Sequence, residues 1–166
     1  MLFEGIRILS LAEQYPGPLA TMILADLGAE VLMLERPNGG DPTRSKAHFE
    51  GLNRNKRSIC IDLHDDEGRQ LASQIAATSS VVIVGFRPGV AERLGMSYAD
   101  VVSVNPSVLY VRLSGYGTDG EYAARPGHDL SFQAMAGFLA RDSDGSPRMP
   151  HLPLADYVSG LFVALG

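Results

Sequence analysis

A chain of 166 residues, 45% hydrophobic and 20% charged, is long enough for one domain with a real core and has the composition of an ordinary globular protein. A net charge of -5 argues against nucleic acid as a partner, and no apolar run approaches the roughly 18 residues that a membrane span needs. The single cysteine, Cys60, excludes an internal disulfide and, between Ile59 and Ile61, reads as a buried core thiol; the opening stretch carries Glu4 and Arg7 and is no signal peptide, so a reducing, cytoplasmic location is expected.

In chain order, "GIRILSLAE" reads as a short, mostly buried strand. "PGPLATMILADLGAE" reads as a helix: Pro16 and Pro18 suit its start, Leu19, Met22, Ile23 and Leu27 recur at helical spacing, and Gly28 suits its end. "EVLMLER" is a second strand, and strand, helix, strand with short turns implies parallel pairing and a right-handed crossover. A polar loop spans residues 36 to 57. "SICIDL" then reads as a third strand, "DDEGRQLASQIAAT" as a helix with an acidic first turn, and "SVVIVGF" as a fourth strand covered on both faces. "PGVAERLG" and "SYADVVSVN" read as short helices, the second stopping at Asn105-Pro106, and "SVLYVRLSG" as a fifth strand. A further helix opens in "GHDLSFQAMAGFLA", a polar turn-rich link follows, and "LADYVSGLFVALG" begins the last helix.

This alternation predicts an α/β fold, Rossmann-like and doubly wound, with a mainly parallel sheet and helices on both faces. Ligands of such sheets bind at the carboxyl ends of the strands, which points to the loops after Glu35, Val84 and Ser114.

Four constellations carry chemistry. Arg36, Arg44, Lys46, Arg54, Lys56 and Arg57 crowd one loop, and Arg87 follows the fourth strand; this is either a solvated loop or a cradle for phosphate groups. "SGYGTDG" satisfies G-x-G-x-x-G, but it follows the fifth strand rather than the first and "EYAARPG" after it cannot continue as a helix, so it reads as a tight turn and not as a dinucleotide site. In "RPGHDL", Asp129 suits a helix cap, while the His128 imidazole can serve as acid or base. Asp156, before an apolar helical run, is a cap by pattern, and a carboxylate at that position can also attack an activated acyl carbon. "HDDE" at 64 to 67 has no supporting His or Cys cluster, so no metal is expected.

The segments "PGPLATMILADLGAEVLMLERPNGGDPTR", "NRNKRSICIDL", "FRPGVAERLGMSYADV", "NPSVLYVRLSGYGTDG", "GHDLSFQAMAG" and "LADYVSGLFVALG", in that order, resemble the class III coenzyme A transferases, a family (CaiB/BaiF-like) that also holds the 2-methylacyl-CoA racemases. The resemblance runs from about residue 4 to the last residue and makes residues 1–166 the N-terminal CoA-binding Rossmann-like domain, without the family's second domain. It implies CoA thioesters and a carboxylic acid as substrates, no permanently bound cofactor, and either an interlocked homodimer or a second chain supplying the missing half. It also implies that Asp156 attacks the acyl-CoA carbonyl, giving an aspartyl mixed anhydride and then an aspartyl-CoA thioester. Arg36, Asn55, Lys56, Arg57, Phe86, Arg87 and Pro88 match CoA-contacting stretches, and Arg44 belongs to the same basic loop. A racemase would instead use His128 and Asp156 to move an α-proton; the stretch after Asp156 and "FQAMAG" look transferase-like. A non-catalytic CoA-binding fragment is the third reading. Members are usually more than twice this length, so little or no transferase activity is expected of the 166-residue chain alone.

Overall fold

A computed structural model of the protein describes residues Met1–Gly166. Five strands alternate with helices: β1 Arg7–Leu11, α1 Pro16–Asp26, β2 Glu30–Glu35, α2 Phe49–Leu52, β3 Lys56–Cys60, α3 Asp66–Ala77, β4 Val81–Val84, α4 Val90–Arg93, α5 Tyr98–Val104, β5 Leu109–Arg112, α6 Asp129–Met135 and α7 Leu154–Leu165. All strand pairs are parallel and the sheet order is β3-β2-β1-β4-β5, the doubly wound α/β fold that the alternation predicts. No helix is long and apolar enough to cross a membrane.

Side chains that alternate along the central strands supply two cores. Leu9, Leu11, Val82 and Val84 point to one face and meet Ala72 and Ala76 of α3, Val101 of α5 and Met96 from the turn before α5. Ile8, Val31 and Ile83 point to the other face and meet Ala25 of α1 and Ala29. Each large aliphatic side chain fully buried in this way contributes about 1.5–3 kcal/mol. Local signals set the helix bounds. Pro16 and Pro18 open α1, and Ser97 and Asp100 form a reciprocal capping box at the start of α5. In α7, Gly160 lies so close to α1 that a Cβ there would sit 2.9 Å from the Pro16 carbonyl oxygen.

Three sequence expectations are corrected. The third strand begins at Lys56 and ends at Cys60, where the chain leaves the sheet after one more ladder bond from the Ile61 amide to the Glu35 carbonyl (3.0 Å). Cys60 is exposed rather than buried, because β3 is an edge strand and Ile59, not Cys60, faces the core. The loop 36–57 also holds one turn of helix, α2, which is too short to show a period.

Candidate active site

The strand order reverses at β1, whose crossover through α1 leads to β2 on one side while β4 pairs on the other. The loops that leave the carboxyl ends of β1, β4 and β5 therefore diverge, and they open a crevice of about 270 Å³. One wall is the β1–α1 turn, with Glu13, Gln14 and Pro16; the next is Gly85–Pro88 after β4. Ser114–Tyr116 after β5 and the stretch around Arg125–His128 form the far side, and Asp156 and Ser159 of α7 close it.

Phe86, Arg87, Pro88, His128 and Asp156 thus come together in one crevice although their sequence positions span the chain. Arg36 reaches its rim: the Nε donates to the Gly40 carbonyl (3.0 Å) and lies 3.6 Å from the Glu13 carboxylate. Arg44, Asn55, Lys56 and Arg57 are placed elsewhere. Arg44 is bound to the buried Glu35 carboxylate and stacks on Phe49. Asn55 donates to Asp26 (2.8 Å), the last residue of α1, and the exposed Arg57 lies 3.6 Å from Glu30, the first residue of β2. Lys56 donates to the Pro18 carbonyl (2.8 Å) and to Asn53 (2.9 Å). The reason is direction: these three residues enter β3 at its amino end, about 13 Å along the strand from the end where ligands bind.

The first turn of α7 carries Asp156, but Asp156 does not cap that helix. The N-cap position is Pro153, which offers no side-chain acceptor. Asp129, from the start of α6, accepts hydrogen bonds from the backbone amides of Ala155 (2.7 Å) and Asp156 (3.3 Å) instead. The expectation that each aspartate caps its own helix is corrected for both, since His128 holds the N-cap position of α6. Burial raises the Asp156 carboxyl above its ordinary value, the Asp129 charge adds to this, and His128 opposes it. Beside it, burial and Tyr157 push the Tyr15 hydroxyl up to about 12, with Asp156 contributing, so Tyr15 stays neutral. Burial likewise raises Glu13, against the pull of Arg36.

Several residues of the crevice were not foreseen from the sequence. Gln14 lines it with a positive φ of 72°. Asp41, 2% exposed, holds it there by accepting from the Gln14 amide (2.9 Å). Phe132 separates the crevice from a second, more apolar cavity of about 330 Å³ between α6 and α7. Its ring fits between Gly115 and Gly127, where a Cβ would approach it to 2.5 and 2.7 Å. The glycines of "SGYGTDG" therefore serve close packing and turn formation, with positive φ at Gly117 and Gly120, and no helix begins until Asp129. The sequence signal was the glycine cluster itself; its partner, fifteen or so residues on, carried none.

Comparison with known proteins shows the family. The model of the family described as CoA-transferase family III matches residues 3–166. The chain is 37% identical to the Mus musculus succinyl-CoA:glutarate CoA-transferase, over 96% of this chain and 39% of that protein. It is 38% identical to the alpha subunit of the Chloroflexus aurantiacus succinyl-CoA–L-malate CoA-transferase, over 98% of this chain and 41% of that subunit. A CAIB/BAIF family protein from Brucella suis superposes with a TM-score of 0.92 at 33% identity, covering 98% of this chain and 47% of that one. The chain spans 39–45% of the length of these curated relatives and others like them. The matching family model, the relatives above 30% identity and the shared fold make this chain a member of CoA-transferase family III.

Proposed function

We propose that the complete protein transfers CoA between an acyl-CoA donor and a carboxylic acid acceptor, with Asp156 as the acyl nucleophile. The observation that carries this reading is the position of the Asp156 carboxyl in the crevice at the strand ends, opposite Phe86, Arg87 and Pro88. In the proposed reaction a carboxylate oxygen of Asp156 attacks the thioester carbonyl carbon, the C–S bond breaks and CoA thiolate leaves. The thiolate then attacks the aspartyl carbonyl of the mixed anhydride, releasing the donor acid and leaving an aspartyl-CoA thioester. The acceptor carboxylate takes the place of CoA on Asp156 as a new anhydride, and the thiolate attacks the acceptor carbonyl, which frees the Asp156 carboxylate.

Arg87 and Arg125 line the crevice and Arg36 stands at its rim as cations for the phosphates of CoA, and Phe86 and Pro88 offer it apolar surface. Arg44, Asn55, Lys56 and Arg57 have no such position and hold the fold around α1 and β2. The acyl-CoA and the acid are the proposed substrates, and a second copy of the chain or a second chain is the proposed partner.

Trapping tests the proposal. With succinyl-CoA as probe, hydroxylamine should convert Asp156 of the complete protein to a hydroxamate detectable by mass spectrometry, and Asp156→Ala should abolish both adduct and transfer. The nucleophile must be ionised and its carboxyl is raised, so the acylation rate should fall as pH drops through a midpoint above the ordinary aspartate value of about 3.9. Transfer that survives Asp156→Ala would sink the reading, and CoA binding without any adduct would leave the non-catalytic module.

One observation favours a second reading: the His128 imidazole lines the same crevice and acts on the Asp156 carboxyl. A 2-methylacyl-CoA racemase would exchange the α-proton with deuterated water, and His128→Ala would stop that exchange.

A further inference from the structure

We propose that Asp129 is a positioning residue for Asp156: its carboxylate, supplied from the start of α6, caps the helix that carries the reacting carboxyl and fixes where that carboxyl sits. The proposal rests on the reading of Asp156 as the nucleophile.

The first four amides of a helix have no partner within it. In α7 the N-cap is Pro153, with no side chain to accept from them. Oδ1 of Asp129 accepts from the Ala155 amide (2.7 Å) and the Asp156 amide (3.3 Å). Its Oδ2 accepts from Nε2 of Gln133 (2.6 Å), and the same nitrogen donates to the Leu152 carbonyl (3.0 Å). Gln133 is 5% exposed. Both oxygens of Asp129 are thus engaged, and the chain just before α7 is held by the buried amide of the helix that supplies the cap. The link between the two helices is largely exposed, from Gly137 to Leu152, and gives Asp156 no other anchor on that side. One turn after Asp156, Gly160 rests on α1, so the start of α7 is fixed at two places and the carboxyl lies between them.

The same contact has an electrostatic effect. The Asp129 charge stands next to the Asp156 carboxyl. Asp129 and His128 face Asp156 from α6, Tyr15 and Glu13 from the β1–α1 turn, and Arg87 and Arg125 line the same crevice. Burial is the largest cause of the raised Asp156 carboxyl and Asp129 is the next, while His128 opposes both. Removing the Asp129 charge should therefore move the Asp156 midpoint to lower pH without returning it to the ordinary value.

Two variants of the complete protein separate position from charge. Asp129→Ala removes the cap and should slow single-turnover acylation of Asp156 by succinyl-CoA by tenfold or more. Asp129→Asn keeps one acceptor oxygen for the two amides but sets its Nδ2 donor against the Nε2 donor of Gln133, so it should recover part of that loss and shift the acylation midpoint to lower pH. Wild-type acylation by Asp129→Ala overturns the proposal. So does an Asp129→Asn protein that is as slow as Asp129→Ala with an unmoved midpoint, since that is the behaviour of a residue that only supports packing. The Asp156 carboxyl, followed by carbon-13 NMR, reports the same shift without any turnover. If Asp156→Ala is still acylated, the nucleophile reading falls, and the NMR titration of Asp129→Asn still judges Asp129.

Discussion

Lys56 shows how far a single side chain's role can depart from its charge. Its Nζ lies inward against α1 and α2, bonded to the Pro18 carbonyl and to Asn53, and burial lowers it to about 7. Asp41 and Asp26 oppose that shift and Arg54 adds to it. The sign of the linkage is fixed. Below pH 7 the lysine is charged in both states and the folded chain carries the whole cost; above the unfolded value near 10.4 it is neutral in both and the cost vanishes. Between these limits the unfolded chain binds more protons, so stability rises with pH. From pH 7 to 9 the thermal midpoint of the wild type should therefore rise relative to that of Lys56→Met, by roughly 2–4 °C for each kcal/mol recovered. Parallel midpoint curves in differential scanning fluorimetry would show that Lys56 is not the titrating group. At this scale the sequence was only partly legible. It picked out Phe86, Arg87, Pro88, His128 and Asp156, which share the crevice, and it also picked out Asn55, Lys56 and Arg57, which do not reach it. A list of cations does not tell which end of a strand they stand on, and the cap from Asp129 to α7 joins residues 26 positions apart that no local spacing relates.

At the scale of elements, the placement of Asp156 depends on how α7 meets α1. Gly160 follows Asp156 by four residues and so shares its face of the helix. A Cβ at Gly160 would stand 2.9 Å from the Pro16 carbonyl oxygen, 2.9 Å from Cδ2 of Leu19 and 3.1 Å from its Cβ. The carbonyl belongs to backbone and cannot swing aside, so the helix must shift. Alanine is the better helix former by about 1 kcal/mol, but overpacking of this kind costs roughly 1–3 kcal/mol. Gly160→Ala should therefore lower stability in urea unfolding or leave it level, and in either case reduce Asp156 acylation, because the shift is passed one turn up the helix to the carboxyl. A Gly160→Ala protein with wild-type acylation would show that the α1–α7 contact does not set the site. Elements were the most legible level of all. Apolar runs of strand length gave β1, β2, β4 and β5, and Pro16, Pro18 and Asn105-Pro106 marked helix ends. The misses were α2, a single turn with no room for a period, and the bounds of β3, where edge position lets polar side chains stand in the strand and puts Ile61 and Leu63 in the core beyond it.

At the scale of the whole molecule, the fold and family were readable because six separate segments occur in the family's order, while the surface was not, because exposure depends on which faces the tertiary fold leaves uncovered. On α7, Phe162 is 73% exposed and Leu165 83%, and in the link between α6 and α7 Phe138 is 66% and Met149 68% exposed. Single exposed apolar residues are ordinary, but a run of large ones on neighbouring segments marks a surface that associates. Relatives more than twice as long have further chain with which to cover it. The 166-residue chain should therefore associate with itself as its concentration rises, and its sedimentation coefficient should increase between micromolar and hundred-micromolar protein. Phe162→Glu combined with Leu165→Glu places two charges on that face and leaves both cores untouched, since neither side chain contributes to them. The double variant should sediment as a monomer throughout that range. A wild-type chain that is already monomeric at every concentration would mean that this face does not drive association, and the second copy in the proposed enzyme would then have to be held elsewhere.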